Sequence, residues 1–144
     1  MKISEVMTGD AEFISPNTSL REAAERMAEL DTGFLAISDD QQSRLEGVIT
    51  DRDIVIRAIA KGLDPNTTMV NEVASRRVLY CFADEELEAA CRSMHSEQVH
   101  RLIVLNNPDE KRLVGVISLG DIVRHDQDKL AETALKGILS DVAA

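Results

Sequence analysis

The sequence is poor in aromatic residues and in positive charge. It has no tryptophan among 144 residues, and aromatic side chains make up only 3% of it, so the interior must be built from aliphatic residues. Acidic residues outnumber basic ones by 26 to 16, which gives a formal net charge of −10. Such a chain has no general affinity for polyanions, and this excludes sequence-independent nucleic-acid binding.

Cysteines and long apolar runs are also scarce. Cys81 and Cys91 are the only cysteines, and two cannot form a disulfide framework. The first residues lack the apolar stretch of a secretory signal, and no apolar run approaches the roughly 20 residues that span a bilayer. These absences predict a soluble protein of the reducing cytoplasm. The length fits one compact domain, or two small ones that share a core.

The chain contains an internal repeat. At an offset of 67, Leu20, Ala23, Met27 and Leu35 align with Leu87, Ala90, Met94 and Leu102. Further along the offset is 68, and Gly47–Val55 aligns with Gly115–Val123. The extra residue falls in a loop, where a duplicated unit tolerates an insertion. The sequence therefore predicts two copies of one structural unit.

Each copy predicts the order β-α-β-β-α, and thus an α/β (α+β) fold class. The first strands are predicted at 12–14 and 78–82, the strand pairs at 34–37 with 45–49 and at 102–105 with 113–117, and polar turns join the pairs, the first at 39–43. Second helices are predicted to begin near Asp53 and Asp121. Since a unit of about 60 residues is marginal alone, we expect the two sheets to pack together with pseudo-twofold symmetry.

Three segments are expected along the chain. Residues 1–66 form the first repeat with a linker, residues 67–127 form the second repeat, and residues 128–144 form a C-terminal amphipathic helix. The apolar face of this helix is predicted to carry Leu130, Ala134, Leu135, Ile138 and Val142. We expect it to pack on its own chain or on a dimer mate. Its polar face is too acidic for an anionic membrane surface.

Each repeat closes with the motif Gly-Val-Ile-Thr/Ser-x-x-Asp, at Gly47–Asp53 and Gly115–Asp121. This tandem arrangement resembles a CBS-domain pair, also called a Bateman module, over nearly the whole chain up to about Gln127. The stretch from Thr50 to Thr67 looks like small stand-alone CBS-pair proteins of bacteria and archaea. The resemblance implies a non-catalytic regulatory module that binds an adenine nucleotide in clefts between its repeats.

The hydroxyl and carboxylate of the motif lie three residues apart, as Thr50 with Asp53 and Ser118 with Asp121. This spacing favours a capping box at a helix start whether or not a ligand binds. The start of a helix is also electropositive and suits a phosphate. The resemblance further implies that the aspartate binds the ribose hydroxyls and that the threonine or serine contacts phosphate or ribose.

The second repeat has the basic pair His100-Arg101 just ahead of a buried strand, where the first repeat has Gly33-Phe34. Arginine binds phosphate bidentately. The second repeat is similar to a nucleotide-sensing repeat in the regulatory subunit of AMP-activated protein kinase, which uses such a pair for phosphate contacts. We therefore expect Asp121→Ala to weaken nucleotide binding more than a change at Asp53. The alternative is an exposed loop with an unremarkable basic pair.

The remaining candidates for nucleotide contacts are less specific. Arg52 is the matching cation of the first repeat, unless it pairs with its neighbour in solvent. An apolar slot for adenine is expected from Ile14 with Phe34, or from Cys81 with Leu102, although such residues are more often plain core.

The segment charges agree with a phosphate site in the second repeat. Residues 1–66 have 7 basic and 13 acidic residues, whereas residues 67–125 have 7 and 9. The second repeat is therefore nearly balanced despite the acidity of the chain.

Two other classes of function are disfavoured. Cys91 and His95 are four apart on a predicted helix, but a closed zinc site needs four ligands, so no metal is expected. No nucleophile elbow, Walker loop or HExxH motif is present, so we expect no catalysis. The sequence leaves a homodimeric nucleotide sensor that signals to an unknown protein partner in trans, a ligand-free structural or interaction dimer, or a binder of S-adenosylmethionine or a dinucleotide.

Overall fold

The computed structural model describes residues 1–9, 12–39, 45–125 and 127–140. It confirms a mixed α+β fold with two repeats and a C-terminal helix. The chain forms two compact units, Glu12–Val78 and Met1–Ala11 with Leu79–Ala144. We call them the first-repeat unit and the second-repeat unit. No helix among the described residues is long and apolar enough to cross a membrane.

The elements follow the predicted order, with three short additions. In chain order they are α1 (Ile3–Val6), β1 (Thr8–Gly9), β2 (Phe13–Ile14), α2 (Leu20–Leu30), β3 (Phe34–Ser38), β4 (Leu45–Thr50), α3 (Asp51–Asp53), a π-helical turn (Ile54–Ala58), a 3-10 turn (Ile59–Lys61), α4 (Val70–Val73), β5 (Tyr80–Phe82), α5 (Leu87–Glu97), β6 (Arg101–Leu105), β7 (Leu113–Ser118), α6 (Leu119–Arg124) and α7 (Asp128–Ile138). The predictions lack α1, β1 and α4, which are too short to show a period.

In the first-repeat unit, β2 pairs in parallel with β3, and β3 pairs antiparallel with β4. Ser19 caps α2 because its Oγ accepts a hydrogen bond from the Glu22 backbone N–H at 3.1 Å. The helix ends at Asp31, which adopts a left-handed conformation. Leu20, Ala23 and Met27 of α2 are buried against the sheet, in a core that also includes Leu35 and Ile49. Most of the predicted polar turn at 39–43 lies outside the described residues.

The second-repeat unit repeats this arrangement and adds a strand. Its sheet has the order β1-β7-β6-β5, in which β5 and β6 are parallel and the other neighbours are antiparallel. The equivalent core positions of α5 and the strands are again buried, and they include Leu87, Ala90, Met94, Leu102 and Ile117. The second helices begin at Asp51 and Leu119, two residues before the predicted positions.

The segments that open the two repeats pair with the opposite repeat's last strand. Thr8 and Gly9 pair with Val116 and Gly115, so the start of the chain belongs to the second-repeat unit. Ser75 makes the corresponding bridge to Val48 within the first-repeat unit. The motif glycines permit this approach, because a β-carbon on Gly115 would lie 2.7 Å from the Thr8 carbonyl oxygen.

The C-terminal helix α7 packs on α5 and α6 of its own unit. Its buried face consists of the small residues Ala131, Ala134 and Gly137. The predicted face is correct at Ala134 but wrong at Leu135, which is 41% exposed, because close packing on α5 selects small side chains. Val142, the last predicted member of that face, lies outside the described residues.

Candidate functional site

Both motifs form complete capping boxes. In the first repeat, the Thr50 hydroxyl accepts a hydrogen bond from the Asp53 N–H at 3.0 Å, and Asp53 Oδ2 accepts one from the Thr50 N–H at 3.0 Å. In the second repeat, the corresponding distances for Ser118 and Asp121 are 3.2 and 2.9 Å. The backbone geometry is therefore the same, and the second carboxylate oxygen, Oδ1, distinguishes the two sites.

Oδ1 of Asp121 has two partners. The Thr8 hydroxyl donates a hydrogen bond to it at 3.2 Å, and the Arg124 guanidinium donates another at 2.5 Å. The Asp121 side chain is only 7% exposed. Both of its oxygens are thus used by its own unit. A ribose hydroxyl would therefore compete with these donors for a carboxylate that is almost fully buried.

Oδ1 of Asp53 is more open. The nearest cation is Arg57, whose Nε lies 3.7 Å away, which is beyond hydrogen-bond distance. The same guanidinium donates to the Val73 carbonyl oxygen at 3.3 Å. Ser75, which occupies the place of Thr8 in the repeat, makes no described hydrogen bond to Asp53. Among the described residues, nothing donates a hydrogen bond to this oxygen.

Sequence reasoning missed Thr8, Arg57 and Arg124 as partners of the two aspartates. Arg57 and Arg124 lie four and three residues after their aspartates, a spacing that brings side chains together on a helix and that was visible in the sequence. Thr8 is 113 residues from Asp121, and no local pattern signals that contact.

The structure places the backbone of His100 and Arg101 next to the second motif. The Leu119 N–H donates to the His100 carbonyl oxygen at 2.9 Å, and Arg101 lies opposite Ser118 across the β6–β7 ladder. Partial burial, followed by the charge of Arg101, lowers the pKa of His100. Its imidazole is therefore mostly neutral at pH 7 and supplies little positive charge to a phosphate.

The first repeat makes the same backbone contact with different side chains. The Asp51 N–H donates to the Gly33 carbonyl oxygen at 2.9 Å, and Phe34 lies opposite Thr50. A β-carbon on Gly33 would lie 2.6 Å from Oδ2 of Asp51. The Asp51 side chain therefore occupies this space, and it would have to move for a histidine to fit at position 33.

The other three sequence candidates lie at the surface or in the two cores. Arg52 is exposed and, with Asp51, Val55 and Ile56, lines a hollow of about 320 Å³. Ile14 is 9% exposed and belongs to the first-repeat core. Cys81 is 5% exposed in the second-repeat core, where its thiol approaches the Ile103 carbonyl oxygen at 3.7 Å. Ile14 and Cys81 thus occupy core positions, and their contact with adenine stays a prediction.

The cysteines and His95 lie in other surroundings in the structure. Burial raises the pKa of Cys81 to about 12 and that of Cys91 to about 11. His95 is engaged through Nδ1, which lies 2.9 Å from the Thr133 carbonyl oxygen. Within the described ranges, no three His, Cys, Asp or Glu residues are grouped to hold a metal ion.

We expect both thiols to resist alkylation in the folded protein. At pH 8 a thiol of such high pKa has almost no reactive thiolate. Labelling with iodoacetamide and mass spectrometry will therefore modify both cysteines in denaturant at least tenfold faster than in buffer. Rapid labelling of Cys91 in buffer, with the fold intact by circular dichroism, would show that the thiol is accessible after all.

Both capping boxes lie in segments that match a known protein family. The model of the CBS domain matches residues 3–59 and 70–128, one match for each repeat. The chain belongs to the CBS domain family. The two matches span both capping boxes, so Thr50–Asp53 and Ser118–Asp121 each lie near the end of a CBS domain.

Known CBS proteins resemble the chain over most of its length. Hypoxic response protein 1 of Mycobacterium tuberculosis is 36% identical over 139 residues, which cover 96% of this chain and 94% of that protein. A crystal structure of hypoxic response protein I, with two coordinated zinc ions, is 37% identical, has a TM-score of 0.76 and aligns over 87% of this chain and 98% of its own.

Two further CBS structures contain adenosine compounds. The CBS domain pair of protein MJ0100, in complex with 5′-methylthioadenosine and S-adenosyl-L-methionine, is 25% identical with a TM-score of 0.75, covering 90% of this chain and 98% of that one. The CBS domain protein PAE2072 from Pyrobaculum aerophilum, complexed with AMP, is 24% identical with a TM-score of 0.78, covering 92% and 99%. The latter likeness shows the fold alone.

Proposed function

We propose that the chain is a non-catalytic regulatory module that binds an adenine nucleotide and signals to a protein partner in trans. The observation that carries the proposal is the open Oδ1 of Asp53, beside the Thr50 hydroxyl at the end of the first CBS domain. A carboxylate held by a single capping box keeps an acceptor for ribose hydroxyls. The adenosine compounds bound by two proteins of this fold support the ligand class.

The proposal puts the stronger site in the first repeat, whereas the sequence favours the second. His100 and Arg101 lie beside the second motif, but Thr8 and Arg124 already donate hydrogen bonds to Oδ1 of Asp121. A ligand of the second repeat therefore competes with those two donors for a buried carboxylate. A ligand of the first repeat loses no direct hydrogen bond to Asp53.

The module is proposed to act as a homodimer in the cytoplasm. Ligand binding to one conformer shifts the equilibrium by its differential affinity, and this is how a non-catalytic domain passes a signal to a partner. A ligand-free dimer that acts as an interaction scaffold is the second candidate, and the engagement of both Asp121 oxygens favours it for the second repeat.

Isothermal titration calorimetry of ligand-free protein with AMP, ADP, ATP and S-adenosylmethionine tests the ligand class. We expect at least one adenine nucleotide to bind, and Asp53→Asn to weaken it about tenfold or more. An asparagine at this position uses its oxygen for the Thr50 N–H and turns its NH₂ group, which accepts no hydrogen bond, toward the ribose.

Asp51→Asn is the matched control, because it removes the same charge two residues away and makes no bond to Asp53. Its nucleotide affinity is expected to stay within about twofold of the wild type. If no nucleotide produces heat, the scaffold interpretation replaces the sensor. If only S-adenosylmethionine binds, the sensor remains and its ligand changes. If Asp53→Asn binds as tightly as the wild type, the first-repeat site is wrong.

A further inference from the structure

The helical segment after each motif has an arginine near the motif aspartate, and the two repeats place it differently. In the second repeat Arg124 lies three residues after Asp121 and donates a hydrogen bond to its Oδ1 at 2.5 Å. In the first repeat Arg57 lies four residues after Asp53, in the π-helical turn, and its Nε stays 3.7 Å from Oδ1. At the repeat offset of 68, Arg57 aligns with His125. The two arginines therefore occupy different positions of the repeat.

A backbone carbonyl holds the Arg57 guanidinium beside Asp53. Nη1 of Arg57 donates a hydrogen bond to the carbonyl oxygen of Val73 at 3.3 Å, and Val73 is the last residue of α4. The segment after α4 is joined to the strand that leads into the motif, because Ser75 and Val48 exchange two backbone hydrogen bonds of 3.0 Å. The guanidinium is thus positioned next to the carboxylate by an element that is itself attached to β4.

Both groups of the first repeat keep hydrogen-bonding capacity. A guanidinium has five N–H donors, and among the described residues only the Val73 carbonyl accepts a hydrogen bond from Arg57. Oδ1 of Asp53 accepts none from the same set of residues. The side chain of Arg57 is 51% exposed and that of Asp53 is 15% exposed, so a ligand can approach both. The first repeat therefore offers an open acceptor next to an open cationic donor, whereas Asp121 and Arg124 bind each other.

We propose that Arg57 binds a phosphate group of the first-repeat ligand and thereby determines which adenine compounds this site accepts. This inference rests on the proposed function, in which Asp53 accepts hydrogen bonds from ribose hydroxyls. A nucleotide has hydroxyl donors and an anionic acceptor on the same ribose, and these match the neighbouring carboxylate and guanidinium. Arginine binds phosphate bidentately with its planar fork of donors. The sequence favours Arg52 as the cation of the first repeat, and this proposal assigns the phosphate contact to Arg57 instead.

The charge of Arg57 distinguishes three adenine compounds that share the same base and ribose. AMP has a 5′-phosphate that accepts hydrogen bonds from the guanidinium. Adenosine has no phosphate, so it gains nothing from Arg57. S-adenosylmethionine has a positively charged sulfur at the 5′ position, and the guanidinium repels it. The first repeat is therefore expected to select AMP over both other compounds.

Isothermal titration calorimetry of the full chain with AMP and with adenosine tests the role of Arg57. The wild type is expected to bind AMP at least about tenfold more tightly than adenosine, as a hydrogen bond to a charged group would give. Arg57→Gln is expected to weaken AMP binding about tenfold and to leave adenosine binding within about twofold. Arg57→Lys keeps the positive charge and should recover part of the preference for AMP, which a purely structural role would not require.

Arg21→Gln is the matched control. It removes the same charge from the same unit, but the Arg21 guanidinium donates hydrogen bonds to Glu25 and Asn66 instead. Its affinity for AMP is expected to stay within about twofold of the wild type. Arg52→Gln is titrated alongside it to compare the two candidate cations, and circular dichroism checks the fold of every variant.

Four outcomes would overturn the inference, and the first three leave adenine binding in place. Equal affinities of the wild type for AMP and adenosine would show that no phosphate contact exists. Equal losses of both ligands in Arg57→Gln would show that Arg57 supports the site without touching the phosphate. Loss of the preference for AMP in Arg52→Gln but not in Arg57→Gln would assign the contact to Arg52. If neither AMP nor adenosine produces heat, the proposed nucleotide site is wrong and the role of Arg57 is wrong with it.

Discussion

Replacing Gly115 with alanine is expected to lower the free energy of unfolding of the second-repeat unit by about 2 kcal/mol. The added β-carbon would lie 2.7 Å from the Thr8 carbonyl oxygen and 2.7 Å from the Met7 sulfur. The methionine side chain can move aside, but the carbonyl belongs to strand β1. The substitution therefore forces β1 away from β7 and weakens the ladder that Thr8 and Gly9 form there.

Gly47→Ala should produce a similar loss in the first-repeat unit, because its β-carbon would lie 2.8 Å from the Ser75 carbonyl oxygen. The matched control is Gly9→Ala. Gly9 lies opposite Gly115 in the same ladder, and a β-carbon there meets nothing within 4 Å. Its stability should stay within about 0.5 kcal/mol of the wild type.

Urea unfolding monitored by circular dichroism gives the free energy of unfolding of each of the three variants. If Gly115→Ala and Gly9→Ala have the same urea midpoint, β1 can shift away from β7 without loss of stability. The close approach of Thr8 then does not require glycine at position 115. If Gly47→Ala alone is neutral, the contact of Ser75 is the weaker of the two.

The repeat made most of the fold predictable from the sequence. Apolar residues at helical and strand spacing correctly placed α2, α5 and the paired strands, because each buries one face against a sheet. The exchange of opening segments was not predictable. The pairing of Thr8 with Val116 joins residues more than 100 positions apart, and a strand of two residues has no period.

The candidate site was predictable where its chemistry is local. Thr50 and Asp53, like Ser118 and Asp121, form their capping boxes within four residues, and spacing alone indicates these. Which of the two sites is more open to a ligand was not predictable, since this depends on the hydrogen bonds to Oδ1 of each aspartate. That oxygen is engaged through a long-range contact to Thr8 in one repeat and is open in the other.

The buried face of the C-terminal helix was only partly predictable from apolar periodicity. A hydrophobic face drawn from periodicity selects large residues such as Leu135, whereas close packing against α5 buries Ala131 and Gly137. A β-carbon on Gly137 would lie 2.6 Å from Cα of His95. The apolar pattern therefore predicted the helix and the burial of Ala134, but not the small residues Ala131 and Gly137 that complete the buried face.

Asp121→Ala is expected to lower the free energy of unfolding by about 3 kcal/mol, the largest loss from a single side chain in either motif. The carboxylate accepts hydrogen bonds from the Ser118 N–H, the Thr8 hydroxyl and the Arg124 guanidinium. A buried donor left without its acceptor costs about 1–3 kcal/mol. Arg124, whose side chain is 68% exposed, and Thr8, which is also exposed, recover water, so most of the loss comes from the Ser118 N–H and the weakened attachment of β1.

Asp53→Ala should cost only about 1 kcal/mol, typical of a lost helix cap. Its carboxylate accepts one short hydrogen bond, from the Thr50 N–H, and Arg57 lies 3.7 Å away with its side chain half exposed. Asp121→Asn is expected to recover part of the loss at Asp121, since its oxygen still accepts from Ser118. Urea unfolding of the three variants tests this order, and equal losses at the two positions would contradict it.

The two aspartates are thus expected to have different roles, Asp121 in stability and Asp53 in binding. If Asp121→Ala destabilises the protein strongly while Asp53→Ala barely does, the second motif stabilises the attachment of the start of the chain. The carboxylate that stability needs least is then the one available to a ligand. A nucleotide bound at Asp53 would raise the free energy of unfolding by linkage. This increase in the unfolding midpoint should vanish in Asp53→Asn.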